Sequence, residues 1–212
     1  MRDITVFSTE AGVASLILSE IPYKAQAYIR VQDSCDPDKL LKECCNFCRA
    51  VGAERVYVTG HAVIEEYPFY TAVYQLSRLR EGLPETDAAL FPVQQNTLEQ
   101  WRNLYNERMK PVPNSATMNL ENAQKMLDRG DGYFIHRGEM LLGIGIAAGE
   151  KIDALVSAVP GAGQDVLLAL NHALSGERVT VEVASKNIHA VSLYERLGFI
   201  QTAELSRWHQ IF

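Results

Sequence analysis

The chain has 212 residues, 47% of them hydrophobic and 22% charged, with a formal net charge of -6. That composition belongs to a globular protein with room for one large core or two modest ones. The negative balance argues against a phosphate-backbone partner, and no run approaches the ~18 apolar residues of a membrane span. The N-terminus, Met1-Arg2-Asp3-Ile4-Thr5, has no basic segment leading into an apolar run. A cytoplasmic protein without nucleic-acid or membrane partners is therefore expected.

Residues 4–7 and 13–19 read as short strands joined by a turn at Glu10-Ala11-Gly12, with a third strand at 26–32. Asp36 as cap and Pro37 at the first helical position open a helix that runs to Val51, where Gly52 ends it. Its apolar stripe holds Leu40, Leu41, Cys44, Cys45, Cys48 and Val51, so three of the four cysteines lie on it. Cys45-Asn46-Phe47-Cys48 has the spacing of a zinc or redox site, but no second Cys or His pair lies at finger spacing. A free Cys also behaves as a small hydrophobe, so core packing is the expected role and no metal is expected. A strand at 55–59 follows. Residues 70–80 carry Val73, Leu76 and Leu79 at helical spacing and are predicted as a helix. Gly82-Leu83-Pro84-Glu85-Thr86-Asp87 is polar and contains Gly and Pro, which places a domain boundary between 1–85 and 86–212.

In the second half, residues 90–94 read as a strand, and Asn96 as the cap of a helix carrying Leu98, Trp101, Leu104, Tyr105 and Met109. Pro111-Val112-Pro113-Asn114 forces a loop, and Asn119 caps a second helix to about Arg129. A hairpin at 133–136 and 141–147, a strand at 151–159 and a helix at 163–174 come next. In the strand at 178–184, Val179, Val181 and Val183 alternate with Thr180, Glu182 and Ala184. The order strand, strand, strand, helix, strand thus occurs in both halves. Glu54-Arg55-Val56-Tyr57-Val58 is also similar to Glu177-Arg178-Val179-Thr180-Val181, so an internal duplication with an incomplete first copy is expected.

The most informative stretch follows. Asn187 is a good N-cap; Ala190, Leu193, Tyr194 and Leu197 form one helical face; Gly198 fits a C′ position and Phe199 opens a strand. Together Asn187, Ala190, Leu193-Tyr194-Glu195 and Leu197-Gly198-Phe199 resemble the Asn-x-x-Ala-x-x-Leu-Tyr-Glu-x-x-Gly-Phe signature of the GNAT superfamily, the acyl-CoA-dependent N-acyltransferases. The order of elements over roughly 120 residues is similar to that family as well. The resemblance implies a mixed α/β fold, with a complete GNAT-like acyltransferase domain at 86–212 and a truncated GNAT-like repeat at 1–85. The first half lacks the signature helix, because residues 60–68 have neither the Asn cap nor the Leu-Tyr-Glu.

The activity implied is N-acetyl transfer from acetyl-CoA to a small-molecule or peptide amine by direct attack in a ternary complex. The rival is a catalytically degenerate GNAT-fold protein that senses or binds CoA, or serves as a scaffold. A homodimer, and a first half that covers an edge of the C-terminal sheet, are further expectations.

In the family the CoA pyrophosphate rests on a loop, Arg/Gln-x-x-Gly-x-Gly/Ala, that leads into a helix. Glycines let backbone N–H groups approach phosphate oxygens, and the helix end supplies partial positive charge. The matching residues are Ala158-Val159-Pro160-Gly161-Ala162-Gly163, followed by Gln164. Ala158 replaces the Arg or Gln, and Asp165 either lies near the incoming pyrophosphate or complements the helix dipole. The resemblance assigns Gly161, Ala162, Gly163 and Gln164 to the pyrophosphate, and Leu155, Val156 and Ser157 to backbone donors at the thioester carbonyl. Asn187 falls near the pantetheine arm while also capping its helix. Tyr194 matches the tyrosine that protonates the CoA thiolate, although its inward position also fits packing. A carboxylate on a central strand is expected as the base, Glu182 first and Asp153 second. The loop 110–117 lies where the acceptor pocket is expected, and His136, His172, His189 and His209 have no metal-site spacing.

Overall fold

The computed structural model describes residues 4–212; the first three residues of the N-terminal stretch read above lie outside the described residues. Its contacts divide the chain into two units, residues up to Ala72 together with Leu205–Phe212, and Val73–Glu204. The division falls inside a strand rather than in the Gly- and Pro-containing stretch 82–87.

The first unit opens with β1 (Ile4–Thr9) and β2 (Gly12–Ile17), then a one-turn helix α1 (Ile21–Lys24) and β3 (Gln26–Ser34). These three strands pair antiparallel. The crossover helix α2 (Pro37–Ala50) starts at Asp36, whose side chain accepts from the Lys39 N–H at 3.1 Å. It returns the chain to β4 (Arg55–Thr59), parallel to β3 from Gln26↔Arg55 through Arg30↔Thr59. Leu40, Leu41, Cys44, Cys45 and Cys48 of α2 pack on Ala14, Leu16, Ile29, Val56 and Val58. Burial pushes the Cys44 and Cys48 thiols up to about 12 and Cys45 up to about 11, so all three are protonated apolar fillers rather than thiolates. After β4 comes a 3₁₀ turn at Ala62–Glu66, capped by His61 Nδ1, which accepts from the Val63 N–H at 3.2 Å.

The second unit takes in β5 (Phe69–Leu79) from Val73 onward, β6 (Ala89–Pro92), α3 (Leu98–Met109), α4 (Leu120–Arg129), β7 (Gly132–Arg137) and β8 (Met140–Ala148). It continues through β9 (Lys151–Ser157), α5 (Gly163–Asn171), β10 (Arg178–Ala184), α6 (Ile188–Arg196) and the start of β11 (Ile200–Gln210). Its strands lie in the order β5-β10-β9-β8-β7-β6, with β9 and β10 parallel and the other neighbours antiparallel. Trp101, Tyr105 and Met126 of α3 and α4 pack on Phe134, Ile144, Ala154 and Val156. Val166, Leu167 and Leu170 of α5, with Leu193 and Leu197 of α6 and its end, belong to a second core with Leu142, Ile152, Val179, Val181 and Val183. Full burial of Met126, Ile144, Leu167 and Leu170 stabilises the unit by about 1.5–3 kcal/mol for each side chain.

Two local expectations are corrected. Residues 70–80 are strand, not helix: Phe69, Tyr70, Thr71, Val73 and Tyr74 favour a pleated backbone, and pairing with β10 from Val73 to Leu79 decides the matter. A strand buried on parts of both faces shows no clean alternation, so its apolar spacing mimicked a helix. The N-cap of α3 is Thr97 rather than Asn96, and Thr97 Oγ1 accepts from the Gln94 N–H at 3.0 Å.

The runs β1-β2-β3-α2-β4 and β7-β8-β9-α5-β10 have the same plan, three antiparallel strands and a helical crossover to a parallel fourth. The similar segments 54–58 and 177–181 both fall at the entry to that fourth strand.

Candidate functional site

The site begins with a fault in the register of two strands. β8 and β9 pair Ile146↔Ala154 and then Ala147↔Ile152, which leaves Asp153 without a partner as a β-bulge. Ile152 consequently joins the α5 core and Ala154 the α3 core. β9 pairs with β10 at Lys151↔Thr180 and Ile152↔Val181, up to the bulge, and beyond it the two parallel strands part. The Ala158 N–H donates to the Leu142 carbonyl at 2.8 Å. Alternation along the antiparallel pair therefore turns the N–H and C=O groups of Leu155 and Ser157 away from β8, into the opening.

That opening is a cavity of about 600 Å³, walled by Leu155, Val156 and Ser157 on one side and by Pro160, Gly161, Gly163 and Gln164 on another. Asn187, His189, Ala190, Ser192, Leu193 and Arg196 complete the α6 wall, and Arg108, Met109 and Val112 contribute from the end of α3. Of the residues assigned from the sequence, Leu155, Val156, Ser157, Gly161, Gly163, Gln164 and Asn187 thus share one cavity. Ala162 does not reach it; this residue is buried beneath the loop as the N-cap of α5.

Gly161 has φ +83° with open space where a Cβ would stand, so the backbone conformation, not crowding, demands glycine. A Cβ on Gly163 would come within 3.1 Å of Leu193 Cδ2 and 3.4 Å of Ser157 Oγ. α5 starts without a side-chain cap, whereas Asp36, Asn119 and Asn187 cap α2, α4 and α6. The first N–H groups of α5 have no intrahelical acceptor and, with the helix dipole, suit an anion. Asn187 Oδ1 accepts from the Ala190 N–H at 3.4 Å, which leaves its amide NH₂ for the cavity.

Asp165 is not held toward the cavity. Its Oδ1 receives Arg137 Nη2 at 2.8 Å and the Thr86 hydroxyl at 3.3 Å, and Arg137 Nε also donates to Asp87 at 2.6 Å. The repulsion expected from its charge is therefore met by a guanidinium on β7. Two further cations, Arg108 and Arg196, stand on the cavity wall, and neither has a carboxylate within ion-pair distance among the described residues. Nothing in the sequence singled them out, since Arg108 reads as an ordinary last-turn cation and reaches the loop only through the fold.

The two residues nominated for proton transfer stand apart from the walls. Tyr194 is 5% exposed, tilted against Phe199 with ring centroids 5.4 Å apart, and burial pushes its phenol up to about 12. Glu182 is half-exposed on β10 and takes the Lys151 ammonium at 2.8 Å, while the same ammonium reaches Asp153 at 2.9 Å. Both base candidates therefore meet on one lysine. Burial disfavours the Lys151 ammonium, but hydrogen bonds to Glu182 and Asp153 outweigh it and raise its pKa.

In the first unit β3 and β4 stay paired to the end of β4, and the start of α2 is filled by the Asp36 side chain. β2 and β3 also carry a register shift, between Val13 and Ala14, but among the described residues of this unit neither the parting of the two parallel strands nor an uncapped crossover helix is found.

No helix is long and apolar enough to cross a membrane among the described residues. No family model matches the sequence, and no curated protein matches it. Solved structures do. A functionally unknown conserved protein from Staphylococcus epidermidis is 12% identical with a TM-score of 0.63, covering 99% of this chain and 94% of that one. A GCN5-related N-acetyltransferase from Anabaena variabilis is 12% identical with a TM-score of 0.60, and one from Kribbella flavida is 11% identical with a TM-score of 0.56. These two matches cover 98% and 96% of this chain but only 58% of either enzyme. At such identities the likeness is one of fold, and the fold of this chain is the mixed α/β GNAT fold.

Proposed function

We propose that the protein is an N-acetyltransferase that moves an acetyl group from acetyl-CoA to an amine by direct attack in a ternary complex. The observation that carries this reading is the convergence on one cavity of the unpaired edge of β9 and the uncapped start of α5. The start of α5 and the Gly161 turn take the pyrophosphate, and Asn187 flanks the pantetheine arm. The N–H groups of Leu155 and Ser157 polarise the thioester carbonyl, where one good donor contributes about 2.7–4 kcal/mol to an acyl transfer. The amine nitrogen attacks the carbonyl carbon, the C–S bond breaks, and the proton shed by nitrogen balances the departing thiolate.

Glu182 is the base in this reading, acting through water beside Lys151. Tyr194 has a more limited part than the signature implies. Burial holds its phenol above the usual tyrosine range, which disfavours full transfer of its proton to a thiolate, so it serves as a hydrogen-bond donor. Tyr194→Phe is expected to lower turnover by no more than about tenfold, short of the 10²–10⁴ usual for a general acid. The check is CoA-thiol release from acetyl-CoA in the presence of a panel of amines. Amine-dependent release supports the enzyme, and its absence with every amine, despite bound CoA, would leave a CoA-binding module. That second reading is favoured by one observation, that neither Tyr194 nor Glu182 faces the cavity.

A further inference from the structure

The loop at the start of α5 lacks its own cation, because no residue from Ala158 to Gln164 carries a charge. A guanidinium nevertheless stands there. Arg108, from the last turn of α3, donates from Nη2 to the Ala158 carbonyl at 2.8 Å and lines the same cavity as Gly161 and Gly163. Ala158 is itself fixed through its N–H on Leu142, so the carbonyl is a firm anchor for the incoming side chain. A guanidinium carries five N–H donors in a rigid fork, and this bond uses one of them. No carboxylate pairs with Arg108 among the described residues, and the nearby acid on α5, Asp165, is already held by Arg137.

We infer that Arg108 is a binding residue for the CoA pyrophosphate, supplying from α3 a positive charge that the loop itself does not carry. The inference rests on the cofactor reading above. One face of the guanidinium holds the loop through Ala158, and the remaining N–H groups turn to a phosphate oxygen in the charge-assisted geometry that arginine favours. The charge and the loop position are thereby coupled: the side chain that binds the ligand also fixes the turn on which the ligand rests.

The test is calorimetric titration of the full chain with CoA, with thermal unfolding of each variant alongside. Arg108→Gln retains a neutral donor for the Ala158 carbonyl but removes the charge, and Arg108→Ala removes both. Each is expected to weaken CoA binding by about tenfold or more, the loss of one hydrogen bond to a charged group. Adding Ala158→Arg to the Arg108→Ala chain is expected to recover most of that loss by putting a cation back on the loop itself. Wild-type affinity in Arg108→Gln would overturn the assignment while leaving the cofactor reading intact. A loss that Ala158→Arg fails to recover would do the same, by showing that Arg108 only braces the loop. A wild-type chain that does not bind CoA would overturn the cofactor reading, and this inference with it.

Discussion

Gly163→Asp is expected to abolish measurable CoA binding in a protein that still folds. The position is the first of α5, on the cavity wall, and a Cβ there meets only the end of the Leu193 side chain at 3.1 Å and the Ser157 hydroxyl at 3.4 Å. Leucine can shift by a few tenths of an ångström, so steric damage is small. The carboxylate, in contrast, enters the space in front of the uncapped N–H groups and occupies them as a cap would. It also places a negative charge beside the pyrophosphate. At about 4 Å and an effective dielectric of about 20 that repulsion is worth about 4 kcal/mol, or about three orders of magnitude in affinity. Titration with CoA checks the loss, and an unchanged melting transition separates it from misfolding. Binding within tenfold of wild type would mean that the anion does not rest on this helix.

The second large effect concerns where the chain can be cut. A fragment of residues 86–212 is expected not to fold, whereas 73–204 keeps the second unit together. The cut at 86 strips from β10 the whole of its antiparallel partner, from Arg178↔Leu79 to Ala184↔Val73. Leu76 leaves the α5 core with it. Arg80 is lost too, with its bonds to the Asn171 side chain and to the carbonyls of Asn171, Leu174 and Gly176 that close the end of α5. Arg78, which donates to the Leu197 carbonyl beyond α6, goes as well. Each hydrogen bond contributes about 1 kcal/mol net, and one core leucine about 2–5 kcal/mol, against a typical total stability of 5–15 kcal/mol. The bare edge of β10 would in addition be open to pairing with other chains. Circular dichroism during heating reads the outcome; a cooperative melt for 86–212 would restore the boundary drawn near Pro84.

That boundary shows what the sequence could and could not say. The signature from Asn187 to Phe199 was legible because it depends on local chemistry: a side-chain cap, a stripe spaced by three and four, and a glycine stop, which here has φ +78°. The glycine loop was legible for the same reason. β5 was not, since a strand buried in patches on both faces carries no period of two, and its partner β10 lies a hundred residues later in the chain. The opening itself depends on one unpaired residue, Asp153, and a single register slip leaves no mark in composition or spacing. The partners of charged side chains are hidden in the same way. Asp165 reads as a charge near the incoming pyrophosphate, or as a complement to the helix dipole, from its place in the first turn of α5, and neither reading shows that Arg137 and Thr86 meet it in space. Arg108 and Arg196 gave no signal, because a cation in the last turn of a helix is ordinary until the fold shows what it faces.

The measurement that bears most directly on the cleft beyond the Asp153 bulge is amide hydrogen exchange of the full chain with and without saturating acetyl-CoA. Slowed exchange is expected in peptides that contain Leu155 to Ser157, Gly161 to Gln164, the end of α3 at Arg108 and the start of α6 at Asn187, with β3, α2 and β4 of the first unit unchanged. Protection that falls on the first unit instead, or no protection anywhere at millimolar acetyl-CoA, would contradict that expectation.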